Sequence, residues 1–178
     1  MDKYLNEPDD SFIINNNPKA RGFYNNINNK QVQTLQTLKE KLQAEGLIQN
    51  ISKYNDRFYL RFLRAESFDI TKAFNRLSNY FQWREEENVD NVLSFEFPEI
   101  NELKKLYPHG FHKTDKDGRP IYIDTFGYVD ANQLFKITTE ERWLRYYIRE
   151  KEKLITEKFR LCSIAKGKVV EQYLNIIN

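Results

Sequence analysis

Cysteine and histidine are scarce in this sequence. Its 178 residues contain one cysteine, Cys162, and two histidines, His109 and His112. A disulfide needs a second cysteine, and a zinc cluster of cysteine and histidine ligands needs more of them than the chain has, so counting excludes both as the basis of the fold. A lone cysteine is also typical of a protein from a reducing, intracellular compartment.

The chain also lacks an excess of charge and a long apolar run. Its 28 basic residues nearly balance 26 acidic ones, for a net charge of +2, which gives no argument for nucleic-acid binding. No segment approaches the roughly 18 consecutive apolar residues of a membrane-spanning helix, and the N-terminus has no apolar core of the kind that a signal peptide requires. We therefore expect a cytosolic protein, and the length fits one domain with a small appendage.

The richest group of potential metal ligands is HKTDKDGRPIYIDTFG, residues 112–127. When its Asp-Gly glycine is set at the glycine position of a calcium loop, Asp115 and Asp117 fall on ligand positions, but Lys113 falls on the first one, where its ammonium would repel the ion. Asp-Gly is also a tight-turn dipeptide, and the Ile-Tyr-Ile run after it is typical of a strand. We interpret this stretch as a turn that leads into a strand, and we predict no metal site.

Apolar residues spaced three or four apart predict three helices in the first half of the chain. They cover about 30–46, 55–67 and 69–87, with an asparagine or aspartate as the cap of the second and third. The third stripe is the clearest, and its members are Ile70, Ala73, Phe74, Leu77, Tyr80 and Phe81. Residues 1–29 are rich in asparagine, have little periodicity, and are predicted to be a flexible tail.

The second half predicts the order helix, strand, helix, strand. A short helix over 99–106 precedes the turn and strand described above. Thr138 and Glu141 stand in capping-box register at the start of a long helix that lasts to about Arg160, and a second strand follows over 169–177. A strand, a long helix and a strand form a β-α-β crossover, which favours a parallel sheet. Because two strands do not complete such a sheet, we expect a fragment or a shortened product.

Several motifs, taken in order, resemble those of CRAL-TRIO proteins. DRFYLRFLRAESFDITKAFNRLSNYFQWRE is similar to the N-terminal helical module of that family. LYPHGFHKTDKDGRPIYIDTFG and ITTEERWLRYYIREKE resemble the entry to its lipid-binding lobe, most closely in the phosphatidylinositol/phosphatidylcholine transfer branch. The implied fold class is α/β, with an all-α CRAL-TRIO helical module over 30–92 after the tail, and an incomplete α/β lipid-binding lobe, a β-α-β start, over 93–178.

The resemblance implies a carrier that holds one phospholipid, of the phosphatidylinositol class, in an apolar cavity. Acyl chains in water cost about 0.8 kcal/mol per CH₂, so a carrier must cover them. The implied partners are phospholipid and the membrane surface, with lipid kinases or small GTPase regulators as further ones. The carrier needs no cofactor and is cytoplasmic, with transient membrane association. Cys162 and His112 have no spacing that pairs them as nucleophile and base, so we expect no enzyme. The alternative is a helical protein-interaction module that has lost lipid binding.

The resemblance also implies candidates for lipid binding, namely Tyr122, Phe111, Tyr173 and Asn175. Tyr122 matches the branch, whereas Phe111 replaces a tyrosine, and Tyr173 and Asn175 replace small hydroxyl residues. Glu66 replaces a basic residue that helps to hold the headgroup phosphate, and its carboxylate would repel that phosphate. These departures argue against specificity for choline lipids, and each aromatic candidate has an alternative role in packing.

Overall fold

The computed structural model describes residues 21–23 and 26–178. The described residues fall into two compact units, those up to residue 87 and those from residue 88 to residue 178. We call the described part of the first the helical unit, and the second the sheet unit. No helix among the described residues is long and apolar enough to cross a membrane.

The helical unit contains the three predicted helices. They are α1 (Asn29–Ala44), α2 (Asp56–Ala65) and α3 (Ile70–Glu86), with a 3₁₀ turn at Ile51–Lys53. Asn55 caps α2 by accepting from the Phe58 amide at 3.2 Å, and Asp69 caps α3 by accepting from the Lys72 amide at 3.0 Å, as predicted. The caps satisfy amides that have no partner within a helix, which is why the boundaries follow from the sequence.

The core of the helical unit extends beyond the predicted helices. Its buried residues are Leu35, Leu38, Leu42, Ile48, Tyr59, Leu60, Phe62, Leu63, Ala73 and Leu77, together with Ile27. Ile27 falls within the predicted tail, most of which lies outside the described residues, and its side chain has no exposed surface. Asn28 follows it and forms a capping box with Gln31, which begins α1.

The apolar stripe of α3 is buried only along its centre. Ala73 and Leu77 are fully buried, whereas Phe74 and Phe81 are half-buried. The stripe therefore faces the core as predicted, but Phe74 and Phe81 are only partly buried against it. The Phe74 ring lies beneath the Lys41 ammonium, whose Nζ is 4.6 Å from the ring centroid. Spacing along a helix identifies the apolar face but does not show where neighbouring helices stop covering it.

The sheet unit has four α-helices and three strands. They are α4 (Ile100–Leu106), β1 (His109–Thr114), β2 (Pro120–Asp124), α5 (Ala131–Ile137), α6 (Glu140–Lys153), α7 (Phe159–Lys166) and β3 (Leu174–Ile177). A π-helical turn, Leu154–Lys158, joins α6 to α7 without a break, and 3₁₀ turns occupy Val89–Ser94 and Phe126–Tyr128. The predicted α/β fold class, with helices before a β-α-β start, is confirmed.

The sheet has the strand order β1-β2-β3. β1 and β2 are antiparallel across the predicted Asp-Gly turn, and β2 and β3 are parallel across the predicted helical crossover. β1 and α5 were not predicted from the sequence. β1 is His-Gly-Phe-His-Lys-Thr, which has no run of β-branched residues, and it becomes a strand because β2 supplies its hydrogen-bond partners.

The boundaries of the long crossover helix differ from those predicted. Thr139, not Thr138, is the N-cap of α6, because its side chain accepts from the Arg142 amide at 3.2 Å. Thr138 is buried instead, and its hydroxyl donates to Glu99 at 3.1 Å. The helix continues past Arg160 and ends before Gly167, which has a φ of 66°.

The second predicted strand begins later than expected. β3 starts at Leu174, not at residue 169. The chain before it is held by Ser163, whose hydroxyl accepts from the Val170 amide at 2.8 Å. Val170 is buried there, so its apolar side chain serves the packing of the connection and not that of the strand.

Candidate functional site

The register of the sheet brings the four predicted lipid-binding candidates together. Phe111 pairs with Tyr122 across β1 and β2, and Tyr122 pairs with Asn175 across β2 and β3. Side chains directly opposite each other lie on the same face of a sheet, so these three form one row. The ring of Tyr173 joins them, since its centroid is 6.4 Å from that of Phe111, and Phe111 is 4.9 Å from Tyr122. Their role in lipid binding stays a prediction.

The crossover helix lies over this row and supplies two ammonium groups. Lys151 of α6 has its Nζ 4.7 Å from the centroid of the Tyr122 ring, and Lys158 of the π turn has its Nζ 4.9 Å from that of Phe111. Tyr122 is only 3 % exposed, and this burial raises the pKa of its hydroxyl, which is therefore neutral and a hydrogen-bond donor. The site thus combines aromatic rings, cations and a buried hydroxyl.

Lys151 lies among three tyrosine rings, which the sequence analysis did not associate. Its Nζ is 4.7 Å from the centroid of Tyr122, 4.9 Å from that of Tyr147 and 4.9 Å from that of Tyr173. We call the three rings the aromatic cage. They come from β2, from α6 and from the segment before β3, so no local pattern in the sequence could have grouped them.

A buried polar network continues along the same face of the sheet. His109 is 8 % exposed, and its Nδ1 donates to the Tyr107 carbonyl at 2.7 Å, because a carbonyl can only accept. Its Nε2 is then the acceptor for the Tyr146 hydroxyl at 3.2 Å. The Tyr107 hydroxyl donates to Asp124 at 2.5 Å. Burial lowers the pKa of His109, so the imidazole is held neutral.

The opposite face of the sheet is aliphatic. Ile121 pairs with Leu174, and Ile123 pairs with Ile176, so four aliphatic side chains share that face. The two isoleucines of β2 are half-buried, while Leu174 is 41 % exposed and Ile176 is 46 % exposed. Across β2 and β3, the sheet therefore has one aromatic and polar face and one aliphatic face.

An ion pair fixes the start of α6 and with it the position of Lys151. The Arg142 guanidinium donates to both carboxylate oxygens of Glu99, at 2.6 Å and 2.9 Å. These bonds lower the pKa of Glu99 to about 2, with Arg142 as the main cause. Glu99 is the residue that precedes α4, so the pair ties α6 to α4.

In the Asp-Gly turn, the two aspartates that fall on calcium-loop positions bind an arginine of the same turn. Asp115 accepts from the Arg119 guanidinium at 2.7 Å, and Asp117 accepts from it at 2.9 Å. Asp115 also accepts from two backbone amides of the turn. Both carboxylates are thus directed at a guanidinium. Over the part of the chain that the structure describes, no three His, Cys, Asp or Glu side chains are placed to share a metal ion.

Glu66 also has a partner within its own unit. It caps the C-terminus of α2, and its carboxylate accepts from Nε of Arg76 on α3. From the sequence, Glu66 was expected to act as a repulsive charge near a headgroup phosphate. The structure shows that its charge is balanced locally by a guanidinium.

Comparison with known proteins places these features in a family. Residues 32–79 match the family model for the CRAL/TRIO, N-terminal domain. The phosphatidylinositol/phosphatidylcholine transfer protein SFH4 of Arabidopsis thaliana is 44 % identical over 130 residues, which is 72 % of this chain and 21 % of that protein. The SEC14 cytosolic factor of Yarrowia lipolytica is 37 % identical over 158 residues, which is 88 % of this chain and 32 % of that protein.

The Sec14 cytosolic factor of Schizosaccharomyces pombe shows how much of such a protein the chain represents. It is 32 % identical over 170 residues, which cover 95 % of this chain and 58 % of that relative. The chain therefore spans between about a fifth and three fifths of the length of these three relatives. The family match lies on the helical unit, and the relatives are similar over most of the chain, so the chain belongs to the CRAL-TRIO family.

Proposed function

We propose that this protein binds a phospholipid of the phosphatidylinositol class and takes part in its transfer between membranes. The observation that carries the proposal is the similarity, over most of the chain, to proteins named for the transfer of phosphatidylinositol and phosphatidylcholine. Because this chain spans only part of the length of those proteins, we propose the substrate and the activity for it on the basis of similarity.

Two features of the sheet unit support this proposal; they lie on opposite faces of the sheet, and each suits one part of a phospholipid. The aliphatic face, lined by Ile121, Ile123, Leu174 and Ile176, suits acyl chains, because each CH₂ removed from water gains about 0.8 kcal/mol. The aromatic face supplies Lys151, a cation for a phosphate, and the buried Tyr122 hydroxyl, a donor for an ester oxygen. Binding of this kind makes and breaks no covalent bond and requires no cofactor.

The remaining parts of the proposal concern partners and place. A carrier of this kind works from the cytoplasm and associates transiently with membranes, which agrees with the word "cytosolic" in the names of two relatives. Lipid kinases and small GTPase regulators are the proteins to which such a carrier would present its lipid. These partners are proposed on the family resemblance alone.

Lipid capture from vesicles tests the proposed function. The purified protein is incubated with vesicles of phosphatidylinositol and phosphatidylcholine, separated from them, and its bound lipid is identified by mass spectrometry. We expect phosphatidylinositol to co-purify, and we expect Tyr122→Phe to lower capture about threefold to tenfold, the usual value of one lost hydrogen bond. Tyr128→Phe, at a tyrosine that is 74 % exposed, is the matched control.

Absence of captured lipid from a protein with a normal circular-dichroism spectrum would refute lipid binding. The helical protein-interaction module would then be the better description, and a partner that binds the helical unit would be sought by cross-linking.

A further inference from the structure

The ammonium of Lys151 is enclosed by aromatic rings and is not paired with a carboxylate. Three tyrosine rings surround it at 4.7 to 4.9 Å, and the hydroxyl of Tyr173 is 3.4 Å away. Glu150, one of the two carboxylates that flank it in sequence, pairs with Arg149 at 3.6 Å and with Lys153 at 3.8 Å. No ion pair between described residues includes Lys151. Among the described residues, its charge is therefore stabilised by the three ring faces and by the Tyr173 hydroxyl, and by no carboxylate.

A set of aromatic rings at this distance is the arrangement that recognises quaternary ammonium groups. A cation within about 6 Å of a ring centroid is attracted by the ring quadrupole, and several rings together form a cage for trimethylammonium groups such as choline. Tyr122 is 3 % exposed, so part of this cage is desolvated, which strengthens the attraction. The rings alone would thus suit a choline headgroup.

A cage of this size holds one cation, and here that cation belongs to the protein. Lys151 is tethered to α6, so its effective concentration at the rings is far above that of any free headgroup. A choline group that entered would also meet a like charge at close range. The tethered ammonium therefore competes with a quaternary ammonium for the same ring faces.

We propose that Lys151 is the built-in occupant of the aromatic cage and sets the headgroup selectivity of the site. It excludes phospholipids whose headgroup carries a quaternary ammonium, and it favours those whose only charge is a phosphate, as in phosphatidylinositol. This inference rests on the proposed function, because it names which phospholipid the same site accepts. It assigns to Lys151 a positioning and discriminating role, with no chemistry performed on the lipid.

The variant Lys151→Met tests the inference, because methionine keeps an unbranched stem against the rings and removes the charge. Lys153→Met is the matched control, since it removes the same charge from the same helix, where the ammonium pairs with Glu150. Lys151→Arg keeps a cation over the rings. Each protein is mixed with vesicles of equal phosphatidylinositol and phosphatidylcholine, and the ratio of the two captured lipids is measured.

We expect Lys151→Met to shift the captured ratio toward phosphatidylcholine by at least about tenfold. Without the lysine ammonium, the three rings can make their cation–π contacts with the choline headgroup instead. Lys153→Met and Lys151→Arg should stay within about twofold of the parent ratio. A ratio for Lys151→Met that stays within the same range as these controls would overturn the inference. So would an equal shift in Lys153→Met.

A second measurement separates this inference from the proposed function. Tetramethylammonium is titrated into each protein while the tyrosine ring protons are followed by NMR. We expect it to shift the rings of the cage in Lys151→Met and not in the parent protein. If no protein captures any lipid, the proposed function fails, and this titration alone decides the cage. Equal shifts in parent and variant, or none in either, would refute occupancy by Lys151.

Discussion

Replacement of Ile27 by alanine distinguishes a core segment from a flexible tail. Ile27 has no exposed surface and belongs to the core of the helical unit, although the sequence analysis placed it in an asparagine-rich tail. A substitution in a flexible tail changes stability by less than about 0.5 kcal/mol. A substitution that truncates a buried core side chain lowers stability by more than this.

The size of the effect follows from the burial. Ile27→Ala removes three carbon groups that are fully out of water, at about 0.8 kcal/mol each, or about 2.4 kcal/mol of transfer free energy. The neighbouring side chains collapse only in part into the space left behind, and this adds to the loss. We expect a total of about 3 kcal/mol, within the usual range of about 2 to 5 kcal/mol for isoleucine to alanine in a core.

Urea unfolding, followed by circular dichroism, measures this loss. With a slope of about 1 to 3 kcal/mol per molar urea, the midpoint should fall by roughly 1 to 3 M. Lys30→Ala, at an exposed position in the first turn of α1, is the control and should unfold at the same urea concentration as the parent protein. Hydrogen exchange should assign the loss to α1–α3. Coincident midpoints for Ile27→Ala and Lys30→Ala would show that Ile27 does not belong to the core.

Three further predictions concern charge. Burial lowers the pKa of His109 from 6.5, so the unfolded chain takes up the proton first, and the stability of the protein should fall as the pH drops below 6.5. His109→Gln should remove this loss of stability, whereas His112→Gln, at an exposed position, should leave it unchanged. The pKa of Glu99 is lowered from 4.5 to about 2, so its contribution to stability is complete above pH 4.5 and is lost as the pH falls toward 2. Glu99→Gln should make stability depend less on pH in that range, and an unchanged acid-unfolding transition would contradict the ion pair. Titration with calcium in a calorimeter should give no binding heat at Asp115 and Asp117, because the Arg119 guanidinium donates hydrogen bonds to both carboxylates. A micromolar calcium affinity that disappears when both aspartates are replaced would prove this wrong.

The sequence by itself determined the elements whose signals are local. The three helices of the helical unit begin at caps and follow apolar stripes that recur every three or four residues, so a short window contains the information for each. The Asp-Gly turn, β2 and the parallel crossover to β3 followed for the same reason. The motifs of the family are also local, and the family they indicated was the correct one.

The tertiary structure alone decided the features that depend on partners distant in the chain. β1 exists because β2 pairs with it, and Ile27 is buried because helices that follow it form a core around it. The aromatic cage joins Tyr122, Tyr147 and Tyr173 around Lys151, across about 50 residues of chain. Periodicity and capping describe neighbours within a few residues, whereas such a meeting is set by strand register and by the path of the crossover helix over the sheet.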